Sequence, residues 1–318
     1  MKFHCLLPVR EEADIIGQCL DHMLTWADAI YVFDTGSIDH TWEIVLDFAD
    51  RDRRVIPLKK DPVYYSETRL RGYIFHQARE KMEEGDWFLR VDADEFHHIP
   101  PPEFVKTYLR PEETIVYHQY YDFKLTEKEV IAWEKGEETL GDRQRPIQDR
   151  RRYFMPSLYS EPRLCRYRST MKWSIHTSFP YNAGFVAKER LPIRHYPNRD
   201  PRQLDRRCRL RAIMMADPEN RKNWGNADEH HWSTADWREF VTANDEPMLN
   251  YWQPGTELPR YQFTNHLQSP PKRLAQRLVH QFMLPFLDAR RPGFPEDTYP
   301  AKISDQVNEI LAKELQEI

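Results

Sequence analysis

The sequence predicts an α/β protein: a mostly parallel central sheet with flanking helices, followed by a mainly helical and irregular C-terminal extension. Two observations predict it. Through the first hundred residues, short apolar runs alternate with segments whose apolar residues recur at helical spacing. Three of those runs end in polar clusters: Arg10-Glu11-Glu12, Asp34-Thr35-Gly36-Ser37 and Asp92-Ala93-Asp94-Glu95. In a parallel sheet these three ends share one edge, and ligands bind beyond the carboxyl ends of such strands.

Taken in order, Phe3–Pro8 reads as a buried strand. Glu11–Trp26 follows as a helix, with Ile15, Ile16, Cys19, Leu20, Met23 and Leu24 on one face. Ala29–Phe33 is a second strand. Asp34-Thr35-Gly36-Ser37 is a turn cluster leading to a helix over Thr41–Ala49, and Ser37 or Asp39 can cap it. Arg54–Leu58 is a weaker strand, Ser66–Glu84 a helix and Trp87–Val91 a fourth strand. Thr114–Leu125, rich in Val, Tyr and Phe, is a long strand. Thr126–Arg152 is polar, ends in Arg150-Arg151-Arg152, and reads as a mobile loop or an insertion over the site. Pro162–Arg168, Met171–Ser178 and Phe185–His195 read as later strands, and Gln203–Met215 as a helix with a basic face. Lys272–Leu287 and Ile303–Ile318 are amphipathic helices.

The 51 acidic and 46 basic residues leave a net charge of −5, without the basic excess of a nucleic-acid binder. Cys5, Cys19, Cys165 and Cys208 form no C-x-x-C pair, so neither a zinc ribbon nor a disulfide framework is expected, and a reducing compartment fits. No run approaches 18 apolar residues, and no signal peptide is expected, because the chain opens on the strand at Phe3 rather than on a charged segment followed by a long apolar stretch. The expectation is a cytoplasmic protein without a spanning helix, with the cytoplasmic face of a membrane as the alternative location.

Asp92 and Asp94 flank one residue at a strand end. Side chains alternate along an extended strand, so both carboxylates are expected to point the same way. Paired carboxylates suit a hard divalent cation, Mn²⁺ or Mg²⁺, shared with substrate phosphate oxygens. Such a cation offsets charge building on a departing diphosphate. Asp34 can accept an N–H from a planar base, whereas Asp39 and Thr41 suit the cap of the following helix.

These segments resemble family 2-type glycosyltransferases. Leu7-Pro8-Val9-Arg10-Glu11-Glu12-Ala13-Asp14 is similar to that family's opening strand and Pro-x-Asn-Glu segment. Asp34-Thr35-Gly36-Ser37-Ile38-Asp39-His40-Thr41 resembles its Asp-x-Gly-Ser-x-Asp-x-Thr motif, and Asp86 through Glu95 its Asp-x-Asp strand. The resemblance covers residues 3–96 firmly, 160–210 loosely and the last third hardly at all. It implies a GT-A (Rossmann-like) fold, a nucleotide-diphosphate sugar donor such as a UDP- or GDP-sugar, a divalent metal and an inverting transfer to a hydroxyl acceptor. That acceptor is a glycan, a lipid-linked sugar or a small molecule. Carried over residue by residue, Pro8, Arg10, Glu11 or Glu12, Asp34, Gly36, Arg71, Asp92 and Ala93 would line the donor nucleotide, with Arg71 facing the diphosphate. Asp92 and Asp94 would hold the metal. Arg10 stands where the family has Asn, which leaves open which glutamate serves the nucleotide.

A later histidine often completes such metal sites, and His195 and His176 are the candidates. Thr177 follows His176 where many relatives have Glu. An inverting transfer needs a base; Glu95, Asp149, Glu161 and Asp200 are the candidates, with Glu95 and Asp200 foremost. Arg199, Arg202, Arg206, Arg207, Arg209 and Arg211 form a basic stretch. Arg199 and Arg202, nearest His195, are the expected anion contacts, and the others read as a solvated face. The expected organisation is a catalytic domain over residues 1–215, divided at about residue 98 into donor and acceptor halves, with an extension over 216–318. The helix at Lys272 reads as packed against that domain, with an anionic membrane surface as the alternative; the last helix suits docking or homo-oligomer formation. Two other functions share this architecture. A sugar-phosphate nucleotidylyltransferase would carry a Gly-rich loop after the first strand, and Pro8–Asp14 contains no glycine. A non-catalytic nucleotide-sugar or carbohydrate-binding protein would not need the intact Asp92 and Asp94.

Overall fold

The computed structural model describes residues 1–220, 236–259, 269–293 and 299–316. Strands β1 (Phe3–Val9), β2 (Ala29–Asp34) and β3 (Val55–Lys60) alternate with helices α1 (Ile16–Leu24) and α2 (Thr41–Arg51). Helix α3 (Arg69–Ala78) leads to β4 (Trp87–Arg90). These four strands are parallel in the order β3-β2-β1-β4. Every residue of β1, β2 and β4 is buried, as expected of parallel strands covered on both faces. Helix α1 turns Ile16, Cys19, Leu20 and Met23 onto one face of the sheet, while Leu70, Ile74 and Phe75 of α3 cover the other.

Beyond β4 the sheet turns antiparallel. Strand β8 (Pro162–Arg166) pairs with β4, and β6 (Ile115–Phe123) pairs with β8. Strands β7 (Tyr153–Pro156) and β10 (Asn250–Tyr251) extend that edge. A short ladder joins β5 (Glu95–His97) to β9 (Leu191–His195), and β9 runs parallel to β6. This ladder pins the loop after β4 to His195. Helix α4 (Pro101–Tyr108) bridges β5 and β6.

Three expectations are corrected. Met171–Ser178 is not a strand. Met171 and Trp173 are buried, but the chain turns around the indole, whose Nε1 donates to the Thr177 carbonyl at 2.8 Å. The buried pair thus mimics strand alternation while anchoring a loop. Residues 185–190 also lie outside any strand.

Thr126–Arg152 is structured rather than a loose loop. Thr126 and Glu129 form a capping box at the start of α5 (Glu127–Glu134), and α6 spans Ile147–Arg150. Arg150 and Arg151 are buried and both bond Glu138.

The C-terminal part contains α7 (Pro201–Ala216), α8 (Pro270–Phe282), α9 (Leu284–Ala289) and α10 (Asp305–Gln316). Leu311 and Leu315 of α10 pack with Tyr64, Met214 and Ile303. All four cysteines are free and buried.

Candidate active site

Strands β1, β2 and β4 end side by side, so their polar clusters meet at one edge of the sheet. A cavity of about 320 Å³ opens there. Pro8, Arg10, Glu12, Thr35, Tyr65, Asp92, Ala93, Asp94 and His195 line it from the sheet side. Arg207, Leu210, Arg211 and Met214 line it from α7, with Asn220 beyond.

Asp92 and Asp94 sit in a turn just past β4 rather than in extended strand, so simple alternation does not place them; the turn nevertheless delivers both to the cavity. Asp92 is braced from beneath. Arg71 Nη2 bonds its Oδ1 at 2.5 Å, and Arg163 Nη1 approaches Oδ2 at 3.2 Å. Asp94 faces His195, whose Nε2 stands 3.6 Å from Asp94 Oδ2. The other ring nitrogen, Nδ1, is held by Asp122 Oδ1 at 2.8 Å. Burial alone would lower the His195 pKa, but Asp94 and Asp122 outweigh it and push it up to about 10. Burial likewise opposes ionisation of Asp94, yet His195, Arg207 and Arg199 hold its carboxyl well below the usual range.

Several expected contacts lie elsewhere. Arg71 does not face the cavity. It is fully buried and donates to the carbonyls of Leu6 and Val91 and to Tyr65 as well as to Asp92. Its work is to tie the ends of β1 and β4 together. Glu95, a foremost candidate base, is sealed under the turn. It accepts from Tyr120 and Arg163, and from the Asp92 amide at 3.2 Å. Burial raises its pKa to about 7. Asp200, the other, caps α7 through the Gln203 amide at 2.9 Å and pairs with Arg143 and Arg150. It is fully buried and reaches no cavity wall. His176 is exposed in the Trp173–Thr177 turn, away from the cavity.

Glu11, at φ +57°, uses its carboxylate on the Ile38 amide and on Arg206. It therefore holds the β1 loop against α7, leaving Glu12 on the cavity wall. Burial lifts Glu12 to about 8 despite its 2.5 Å bond to Arg199. Arg199 is buried beneath, chelating Asp14 at 2.6 and 2.9 Å, so it is no open anion contact. Gly36, at φ +101°, packs so closely that a Cβ would lie 2.8 Å from Pro62 Cα; its role is the turn. Asp34 is buried behind Thr35. Its Oδ1 accepts from the Gly36 and Ser37 amides, and its Oδ2 is left without a hydrogen-bond partner.

Sequence reasoning missed Arg207 and Arg211, read there as solvated. Positions 207, 210, 211 and 214 form one helical stripe, and two arginines on a stripe that otherwise carries Leu210 and Met214 were the available signal. Burial and the neighbouring Arg207 lower the Arg211 pKa to about 9. An anion between the two would relieve that repulsion.

Among the described residues no three His, Cys, Asp or Glu side chains cluster as a closed metal site. Asp94 and His195 do fit an open one. Asp122 on Nδ1 leaves Nε2 as the ring atom facing Asp94, so a cation that displaced its proton would find the ring oriented as an outer-shell carboxylate orients a ligating histidine. A cation there must take its remaining ligands from substrate phosphate and water.

A doubly covered parallel sheet, a strand-end cavity and a carboxylate turn facing a basic helix together define a GT-A type domain. The family model for Glycosyl transferase family 2 matches residues 5–161, and that part of the chain belongs to this family. No curated protein matches the chain. Similar solved structures include a mannosyltransferase from Pyrobaculum calidifontis in complex with GDP-mannose and Mn²⁺ (17% identity, 39% of this chain, 35% of that one, TM-score 0.29). Mannosyl-3-phosphoglycerate synthase from Rubrobacter xylanophilus is another (17%, 39%, 41%, 0.27). A third is glucosyl-3-phosphoglycerate synthase from Mycobacterium tuberculosis with Mn²⁺, UDP and glucosyl-3-phosphoglycerate (16%, 53%, 57%, 0.26). The chain thus spans little more than half of these proteins at most. Among the described residues no helix is long and apolar enough to cross a membrane.

Proposed function

We propose that the protein transfers a sugar from a nucleoside-diphosphate donor, UDP- or GDP-linked, to a hydroxyl acceptor. The observation that carries this reading is the opposition, within one cavity, of Asp94 and His195 to Arg207 and Arg211. A diphosphate is the ligand that needs both: arginines for its oxygens, and a carboxylate–histidine pair for the cation it brings.

In this reading Asp94 and His195 hold the divalent ion, Mn²⁺ or Mg²⁺. When bound, the ion neutralises charge developing on the leaving diphosphate. Asp122 keeps His195 Nδ1 occupied, so the ring presents Nε2. Arg71 and Arg163 fix Asp92 at the donor side of the turn, already charge-compensated. Arg207 and Arg211 clamp phosphate oxygens from α7, while Pro8, Arg10, Thr35 and Tyr65 line the nucleoside end. Asp34, fully buried behind Thr35 and off the cavity lining, supports this wall by accepting from the Gly36 and Ser37 amides. Glu95 and Asp200 act as structural groups here.

The test is turnover of UDP- and GDP-sugars with Mn²⁺, read as release of nucleoside diphosphate. The reading expects release for one nucleotide class and its loss on chelation. Pyrophosphate release would point to nucleotidyl transfer instead. Binding without any release, across a panel of hydroxyl acceptors, would point to a carbohydrate-binding role.

A further inference from the structure

Helix α8 and the short α9 are amphipathic in the reverse sense. Their inward side is held by polar bonds. Arg273 pairs with Glu113 at 3.2 Å, and Gln276 donates to the Gly184 carbonyl. Asp288 of α9 is fully buried and accepts from Arg168, Thr170 and Asn182 at 2.9, 2.8 and 3.0 Å. Their outward side is apolar: Leu274 is 61% exposed, Leu278 52%, Phe282 71% and Phe286 61%. The first three recur every fourth residue, so they form one stripe along α8.

Charge is segregated on the same segment. Residues 269–293 carry five Lys or Arg and a single acid, the buried Asp288, in a chain whose net charge is −5; Arg273 and Arg277 pair with Glu113 and Glu112, and Lys272, Arg290 and Arg291 are the other three cations of the segment. Arg290 stacks over Phe286 at 4.6 Å, which places a cation at the rim of the apolar stripe. An outward apolar stripe of this size on a soluble surface marks an interaction site. Bulky apolar residues edged by cations fit the boundary between anionic headgroups and acyl chains. A second copy of the same face would set like charges against each other.

We propose that the outer face of α8 and α9 docks the protein on an anionic lipid surface. The face lies far from the catalytic edge. The cavity under α8, about 460 Å³, is lined by Gly85, Thr114 and Tyr167, at the end of β4 opposite Asp92. Docking there leaves the strand-end cavity open to solvent, and it does not depend on the glycosyl-transfer reading.

The test is flotation of the full chain with vesicles of phosphatidylcholine alone or mixed with phosphatidylglycerol, at low and high salt. Binding is expected only to the mixed vesicles and is expected to weaken as salt screens it. Removing one exposed cation by Lys272→Gln should lower partitioning about fivefold, and Leu278→Glu with Phe282→Glu should abolish it. Both variants alter exposed side chains, and an unchanged unfolding temperature would report an intact fold. The proposal is overturned if the wild type ignores anionic vesicles, binds neutral ones equally, or floats undiminished with Leu278 and Phe282 both replaced. Concentration-dependent dimers broken by the same double replacement, without vesicle binding, would assign the face to a second copy and overturn it as well.

Discussion

Fully buried Arg71 holds Asp92 by a 2.5 Å bond to Oδ1, and the same guanidinium donates to the carbonyls of Leu6 and Val91. One side chain thereby joins the ends of two parallel strands to the acidic turn between them and the cavity. Breaking such a pair from one side is costly, because the remaining group keeps its desolvation penalty. Asp92 is about a third exposed, so the lower part of the usual range applies. Arg71→Met is expected to destabilise the protein by about 3 kcal/mol in urea unfolding. Arg71→Lys should recover only part of that, since an ammonium cannot reproduce the forked geometry.

Asp200 supplies a pH signature. Its carboxyl is buried, which alone would raise the pKa, but Arg143, the Gln203 amide and Arg150 bring it down to about 2. A depressed folded-state pKa means the stabilisation is present above the unfolded value near 4 and is lost as pH falls toward 2. That shift corresponds to about 2 kcal/mol. Asp200→Asn should therefore lose about this much at pH 7 and show a flatter stability profile between pH 4 and 2. Because Asp200 is a helix cap here, the folded variant should keep its donor turnover. A collapse of turnover with unchanged stability would restore it as a catalytic residue.

The arginine pair on α7 separates binding from folding. Arg207→Ala and Arg211→Ala are each expected to weaken nucleoside-diphosphate binding about tenfold or more, the worth of one charge-assisted hydrogen bond. Both variants should still unfold cooperatively, with a lower midpoint for Arg207→Ala, which also loses its bond to the Pro197 carbonyl. Arg209→Ala, on the opposite side of the helix and paired with Asp205 at 2.9 Å, is the control and should leave affinity unchanged. Calorimetric titration with UDP and GDP in the presence of Mn²⁺ reads all three.

Much of this architecture was legible from local pattern. The runs that became β1, β2 and β4 are continuous and apolar because both faces of a parallel sheet are covered, so their ends, and with them Pro8, Asp34, Asp92 and Asp94, could be placed. His195 could be placed because it ends a strand before a turn. Roles set by distant partners could not. Glu95 and Asp200 look like catalytic carboxylates until Tyr120, Arg163, Arg143 and Arg150 are seen to enclose them. Asp122 gains its meaning only from the pairing of β6 with β9, which sets it opposite His195. The Met171–Ser178 segment misled because a loop anchored by alternate buried residues has the same period as a strand. Arg207 and Arg211 were hidden in a run of six arginines, and only the position of α7 over the cavity distinguishes them from their neighbours.

The most direct test of the site is the stability of wild type and Asp94→Asn against Mn²⁺ together with UDP or GDP. Ligand at 100 times its dissociation constant adds about 2.7 kcal/mol to a protein that binds it only when folded. The wild type should gain that amount with one of the two nucleotides and lose it when Mn²⁺ is withheld. Asp94→Asn should unfold cooperatively and gain little from either. An equal gain in the variant, or none in the wild type with either nucleotide, would contradict the assignment of this cavity to a metal–diphosphate donor.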